Sequence, residues 1–423
     1  VSNGALGVDP DTETTFLLQA RGGAGGYVER ALVAVRPDDG GVQVLERPQG
    51  SAATRLLFLR DGVLVIRAED SGSSLRLYDP RTLALRLSLR APMAYRRVQV
   101  SPSRRFVLAD DSVFSRAGFA LIEHDSLRSV QVHSRGYWME ASWHHTTDRL
   151  VAAVAQSSEN NATMRFVVYD VAQVRREGYP VQDPVWRSPI LDVSVPGIVP
   201  HFLGTRVITV SPDDRFAVIP VSEYGWELGS GRTAQLLMLD LQNGSVARID
   251  DAFGPVGITP DGSTIVAHRG RDDMPNQSEL VLIDRATLTR TVVPLPFNGD
   301  PIYHTTRRGN RVLISSLYSP VGFYLYDLAM QRLTFLPGVW ASLRDFVVRE
   351  QADEVYALDR GLLRLSLSAA RSERVNLRWT PAHLNYLPQH DLLVLDAPAT
   401  NSLRFWSPTL RETVLDVSLP PLP

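Results

Sequence analysis

The chain has no cysteine among its 423 residues, and all 44 of its basic residues are arginine. Without thiols there is no disulfide, no thiolate nucleophile, no cysteine-ligated zinc and no thioether-linked haem. Without lysine there is no Schiff base and no P-loop. Exclusive use of arginine reads as a GC-rich coding sequence before it reads as selection for bidentate guanidinium pairing, and hints at a bacterial source. Charge of one sign is scarce as well: 44 basic against 46 acidic residues leave a formal net charge of -2. That balance gives no broad attraction to nucleic acid or to an anionic membrane, so no nucleic-acid partner is expected. Apolar runs are strand-sized and broken by charges or turn residues, so none reaches the roughly 20 residues of a membrane-spanning helix. A GxSxG elbow, an HExxH helix and a dinucleotide fingerprint are also missing.

What the chain does contain is a phrase that returns about every 45 residues. An apolar strand leads into a Pro-Asp or Asp-Gly turn, a second apolar strand follows, and a third ends in Asp. Its clearest copies are Ser211-Pro212-Asp213-Asp214-Arg215 before Phe216-Ala217-Val218-Ile219, and Thr259-Pro260-Asp261-Gly262-Ser263 before Thr264-Ile265-Val266-Ala267. Nine such units can be counted. The first runs from Val8-Asp9-Pro10-Asp11 through Ala31–Val35 to Val42–Leu45, and the ninth takes in Leu392–Leu395, Leu403–Trp406 and Thr413–Val417.

A repeat of this length, made of short strands rich in β-branched and aromatic residues, predicts an all-β fold: a single closed β-propeller of four-stranded blades. Each sheet can bury its two faces only against its neighbours. Propellers typically have four to eight blades, so an eight-bladed ring, with the terminal segments sharing one sheet, stands beside the literal count of nine. Residues 1–423 read as one propeller domain with a long, Pro-interrupted inter-strand insertion at about 171–205.

The phrase in Val210-Ser211-Pro212-Asp213-Asp214-Arg215 and Ile258-Thr259-Pro260-Asp261-Gly262, with later strands such as Leu325-Tyr326-Asp327-Leu328, resembles the bacterial YVTN-type and TolB-type (WD40-like) propeller repeats. That superfamily includes protein-binding scaffolds, lactonases and cofactor-bearing oxidoreductase subunits, so the resemblance implies a fold rather than an activity. The Asp closing the third strand, at Asp79, Asp170, Asp240, Asp284 and Asp327, reads as a turn former, because an acid needed once for chemistry has no reason to recur in register.

Candidate site residues come from two places. Departures from the regular repeat length place exposed Tyr, Trp and Arg, the anchors that protein interfaces favour, at Tyr179, Trp186, Tyr224, Trp226 and Arg271. Adjacent blades are expected to bring these excursions to one side. The second place is the central channel, where a lactonase-like hydrolase would hold calcium or another divalent cation with hard oxygen donors, here Glu140, Asp345 and Asn385. The paired words His145-Thr146-Thr147 and His304-Thr305-Thr306 read as repeat ancestry or strand-end hydrogen bonding before they read as metal ligands. The leading expectation is a cofactor-free, non-enzymatic scaffold subunit that binds a protein partner within a larger assembly. A chain starting at Val1 reads as the mature end of an exported protein, periplasmic or at the cell surface, with a lipid anchor upstream of Val1 compatible with the sequence.

Overall fold

A computed structural model describes residues 6–23, 26–47, 53–69, 72–91, 95, 97–110, 119–132, 138–158, 161–171, 191–196, 198–200, 208–223, 234–271, 274–297, 302–305, 311–316, 322–336, 346–358 and 361–420. Within them lie nine antiparallel sheets, each built from consecutive strands in sequence order. The fold is a nine-bladed β-propeller, and among the described residues the strands are accompanied by two short 3-10 turns at Glu350–Ala352 and Pro398–Thr400. Contacts divide the chain into two compact units: residues 1–100, 124–127 and 336–423 form one, and residues 101–123 and 128–335 form the other.

Strand alternation explains why the apolar runs are continuous rather than every second residue. In blade 4 of the second unit, Leu150 and Ala152 pack with Phe106, Leu108, Phe119 and Leu121 of blade 3. Their sequence neighbours Val151 and Ala153 point the other way, into Ala217, Ile219, Leu237 and Leu239 of blade 5. Blade 5 in turn offers Phe216 and Val218 to Ile265, Ala267 and Ile283 of blade 6. Successive side chains of a strand leave opposite faces, so a sheet buried on both sides needs apolar residues in both registers. Fourth strands break this rule. Leu85–Ala91 and Arg290–Pro294 are mostly exposed, as expected of the outermost strand of a blade. First strands of neighbouring blades contact one another, as Phe253–Ile258 does Ile302–Thr305 and as Phe346–Arg349 does Leu384–Leu387, which makes them the innermost.

The eight-bladed alternative is set aside. Blade 1 owns four strands, Leu6–Val8, Thr15–Gly23, Gly26–Val35 and Val42–Glu46, and blade 9 owns another four, Leu384–Leu387, Leu392–Ala397, Ser402–Ser407 and Glu412–Ser418. Among the described residues no sheet is shared between the two ends of the chain. They meet instead face to face, Leu17, Val33 and Val35 packing on Val394, Leu403 and Phe405. Hydrogen bonds from Gln389 N to Glu13 Oε1 (2.8 Å) and from Gln19 Nε2 to Asn401 Oδ1 (3.0 Å) fasten the same seam.

The stretch at 171–205 contains strands as well as connections. Leu191–Pro196 is the fourth strand of blade 4, and Ile198–Pro200 begins the first strand of blade 5. That first strand is in two pieces. Ile198–Pro200 pairs with Val221–Glu223, and Thr209–Val210 pairs with Ala217–Val218, leaving Ile219 and Pro220 opposite the break. Proline cannot donate to a ladder and is found in sheets where pairing is interrupted.

Candidate partner-binding face

The repeated Asp residues act as turn formers. Asp79 Oδ1 accepts the backbone N–H groups of Arg81 and Thr82 at 2.9 and 2.8 Å, Asp284 those of Ala286 and Thr287 at 3.0 and 2.8 Å, and Asp327 those of Ala329 and Met330 at 3.0 and 2.9 Å. Asp240 repeats the pattern on Gln242 and Asn243. Four residues after each Asp the backbone turns left-handed, at Leu83, Leu288, Gln331 and Gly244, which closes the connection to the fourth strand. Backbone donors also hold the carboxyl groups of Asp79, Asp284 and Asp327 below the usual carboxylate range. Asp170 closes its strand at the same register.

The Ser/Thr-Pro-Asp phrase has its own job. Ser211 Oγ accepts the N–H groups of Arg215 and Phe216, both at 3.1 Å, and donates to Asp213 Oδ1 at 2.6 Å. Thr259 does the same for Thr264 N and Asp261 Oδ1. The following acid reaches across to the preceding blade. Asp214, left-handed at φ 56, accepts His145 N at 2.5 Å and both the N–H (2.8 Å) and hydroxyl (2.5 Å) of Thr146. His145 completes the bridge with Nε2 2.9 Å from the Val210 carbonyl. Asp148 holds Ser103 of blade 3 in the same way, and Glu13 and Asp391 hold Gln389 and Arg349 in the first unit. The word His145-Thr146-Thr147 is therefore a seam between blades 4 and 5.

His144, beside it, is buried, its Nδ1 3.8 Å from Asp214 Oδ2 and its Nε2 without a hydrogen-bond partner among the described residues. Burial pushes its imidazole below the ordinary value, Asp214 opposes the shift, and Arg149 and His145 add to it. In the first unit the densest ionic network joins blades 8 and 9. Buried Glu354 takes Arg349 Nη1 at 3.0 Å, Tyr356 OH at 3.0 Å and Arg364 Nε at 2.8 Å, while Arg349 also grips Asp391 with two hydrogen bonds of 2.6 and 2.5 Å. Burial pushes the Glu354 carboxyl up, but the bonds from Arg364, Arg349 and Tyr356 outweigh it and hold the group low. These charges satisfy one another and are structural.

Of the channel set, Glu140 is buried on the first strand of blade 4, in the second unit. Asn385 is half-buried on the first strand of blade 9, in the first unit, its Oδ1 accepting Tyr386 N at 2.8 Å. Asp345 lies outside the described residues. Among the described residues no three His, Asp or Glu side chains gather where they could hold a metal ion.

Tyr179, Trp186, Tyr224 and Trp226 lie outside the described residues, but the strands that anchor them are defined. In blade 4, Asp170 pairs with Arg149 at one end of the sheet and Ser158 with Asn161 at the other. Residues 172–190, carrying Tyr179 and Trp186, join the third strand to Leu191–Pro196 and so leave from the Asp170 end. Residues 224–233, carrying Tyr224 and Trp226, join the second and third strands of blade 5, and Arg271 ends the second strand of blade 6. Both leave from the opposite end. The excursions therefore do not share one side: an odd or even number of strand reversals decides the end, and the sequence could not show that residues 172–190 come one strand later.

The end carrying the second-to-third-strand hairpins has the more elaborate geometry. In blade 4 the pairs Ser157↔Ala162 and Ser158↔Asn161 project past the first strand, whose last partner is Ala155, and past the fourth, whose last partner is Thr163. In blade 6 the pairs Gly270↔Ser278 and Arg271↔Met274 project past Phe253↔His268 and Glu279↔Pro294. Blade 5 carries the long connection between them. In blade 9, by contrast, the second and third strands are joined through residues 398–401 and the fourth strand reaches the end of the hairpin, Ser402 pairing with Ser418, while Asp396↔Leu403 and Ala397↔Ser402 pass only the first strand. Length and aromatic content mark these segments in the sequence, whereas the bridging between blades by Asp148, Asp214 and Asp391 is not among the sequence expectations. Their signal was present, because each follows the first strand of its unit at a corresponding turn.

No family model matches the chain, and no curated protein matches it. Solved structures do. A eukaryotic initiation factor superimposes with a TM-score of 0.58 at 11% identity, over 92% of this chain and 95% of that one. Dihydro-heme d1 dehydrogenase NirN in complex with DHE gives 0.53 at 13% identity, over 99% of this chain and 75% of that one. The Dos1 propeller gives 0.50 at 11% identity, over 92% and 88%. At these identities the likeness defines a class, the β-propellers, and carries nothing about activity.

Proposed function

We propose that this β-propeller, with repeats of the YVTN/TolB type, is a binding subunit that docks an extracytoplasmic protein partner on the hairpin end of blades 4 to 6. The observation that supports this reading is the overhang itself: the hairpins of blades 4 and 6 outgrow their own sheets, and the connection that carries Tyr224 and Trp226 leaves blade 5, between them, at the same end as Arg271. Aromatic and arginine side chains on loops held by a rigid scaffold are the usual anchors of protein recognition. A chain with no thiol is also indifferent to an oxidising compartment. Tyr179 and Trp186, at the other end of blade 4, belong to a separate surface in this reading.

Affinity capture with the full chain, compared with a variant in which residues 224–233 are replaced by Asn-Gly, tests it. The partner should be recovered with the parent and lost with the shortened form, while both keep the same thermal transition. Equal recovery would remove the hairpin end from the binding surface. The lactonase-like alternative at Glu140, Asp345 and Asn385 is tested separately: a stoichiometric divalent cation lost on Glu140→Gln would favour it.

A further inference from the structure

Blades 4 and 5, both in the second unit, are fastened where the first-to-second-strand turn of one meets that of the other. The fastening is a row of donors on a single carboxylate: Asp214 takes the N–H of His145 at 2.5 Å and the N–H and hydroxyl of Thr146 at 2.8 and 2.5 Å. His144 comes immediately before those donors in the chain. Its own N–H is tied to the Arg149 carbonyl at 2.9 Å, which sets the turn, and its ring is packed away, only 5% of the residue being exposed.

A neutral ring suits this place, because it can direct its one N–H toward Asp214, 3.8 Å from Nδ1, and leave Nε2 bare. A protonated ring does not. It carries an N–H on both nitrogens, and among the described residues Nε2 has no acceptor. Burial disfavours the charged ring most, Asp214 favours it, and Arg149 and His145 of the same turn oppose it again, so the folded chain holds the imidazole below its ordinary value. The neighbouring acids are engaged elsewhere: Asp213 by Ser211, Arg215 and Arg285, and Asp148 by Ser103. The second N–H can therefore be satisfied by water alone, and His144 reaches water only if residues 144–146 move, which takes His145 and Thr146 off Asp214.

We propose that this seam is an acid-operated latch: protonation of His144 drives residues 144–146 off Asp214 and parts blade 4 from blade 5 at the sheet end where Arg149 pairs with Asp170. The opening is local and comes before any loss of the fold. It lies at the opposite end of the sheets from the partner-binding hairpins, so either reading can fail without the other.

Amide exchange of the full chain, followed residue by residue by NMR from about pH 7.5 to about pH 5 and expressed as protection factors, tests it. Protection at the His145 and Thr146 amides should fall below about pH 6.5, by up to about tenfold per pH unit, the limit for an opening that takes up one proton. The Thr287 amide, held by Asp284 at 2.8 Å in blade 6, should keep its protection. His144→Leu should abolish the fall, and His145→Gln should retain it. A readout that needs no variant is the His144 ring resonance, which should stay at its neutral position while protection at Thr146 is being lost. Flat or rising protection at Thr146, an equal fall at Thr287, a fall that survives His144→Leu or vanishes with His145→Gln, or a ring that gains its proton with the Thr146 bond intact would each overturn the proposal.

Discussion

Asp214 gathers three donors from the preceding blade, so its removal should be felt well beyond its own turn. Asp214→Ala leaves His145 N and the Thr146 donors without their acceptor and should cost about 2 kcal/mol, read as a lower urea midpoint with an unchanged slope. His144 beside it gives a pH signature. Its folded-state affinity for a proton is depressed, so the unfolded chain takes up a proton that the folded chain refuses. Stability should therefore fall as pH drops below about 6.5, the ordinary histidine value, and keep falling until the folded imidazole protonates. His144→Asn should flatten that part of the profile in urea titrations between neutral and mildly acidic pH. Glu354 has the opposite chemistry and the same acid sensitivity at lower pH: its depressed carboxyl contributes stability above the ordinary carboxylate range and loses it as pH falls through the folded value. Glu354→Ala strands Arg349 and Arg364 and should cost about 3–5 kcal/mol, measured by chemical denaturation.

At the scale of elements, the apolar seam between blades 1 and 9 carries the closure that a shared sheet provides in the eight-bladed alternative. Phe405→Ala, deep in that seam, should cost about 3–5 kcal/mol and show first as faster amide exchange in strands Leu6–Val8 and Leu384–Leu387. Blade boundaries were legible because Ser-Pro-Asp and strand-closing Asp recur with a hydroxyl and a carboxylate that hydrogen-bond within a few residues. Local chemistry leaves local signals. Blade 1 was harder to rank, since its turn at Asp9 lacks the Ser/Thr hydroxyl of the later copies, and its completeness depends on how Gly26–Val35 pairs with strands on both sides. The broken first strand of blade 5 was illegible for a similar reason: Pro220 signals an interruption, but which neighbour it interrupts depends on pairing between distant segments.

For the whole molecule, nine sheets built on one repeat leave function to what departs from it. The overhanging hairpins were visible as extra length, whereas their shared end of the sheets, and the exclusion of residues 172–190 from that end, required the strand order. Absence of native cysteine makes every introduced thiol unique, which permits a direct test. A photoreactive benzophenone attached at Trp226→Cys, at Arg271→Cys and, as a control, at Trp186→Cys should be irradiated with the partner bound. Crosslinks to the partner are expected from the first two positions and none from the third; crosslinks from Trp186→Cys alone would contradict docking at the hairpin end.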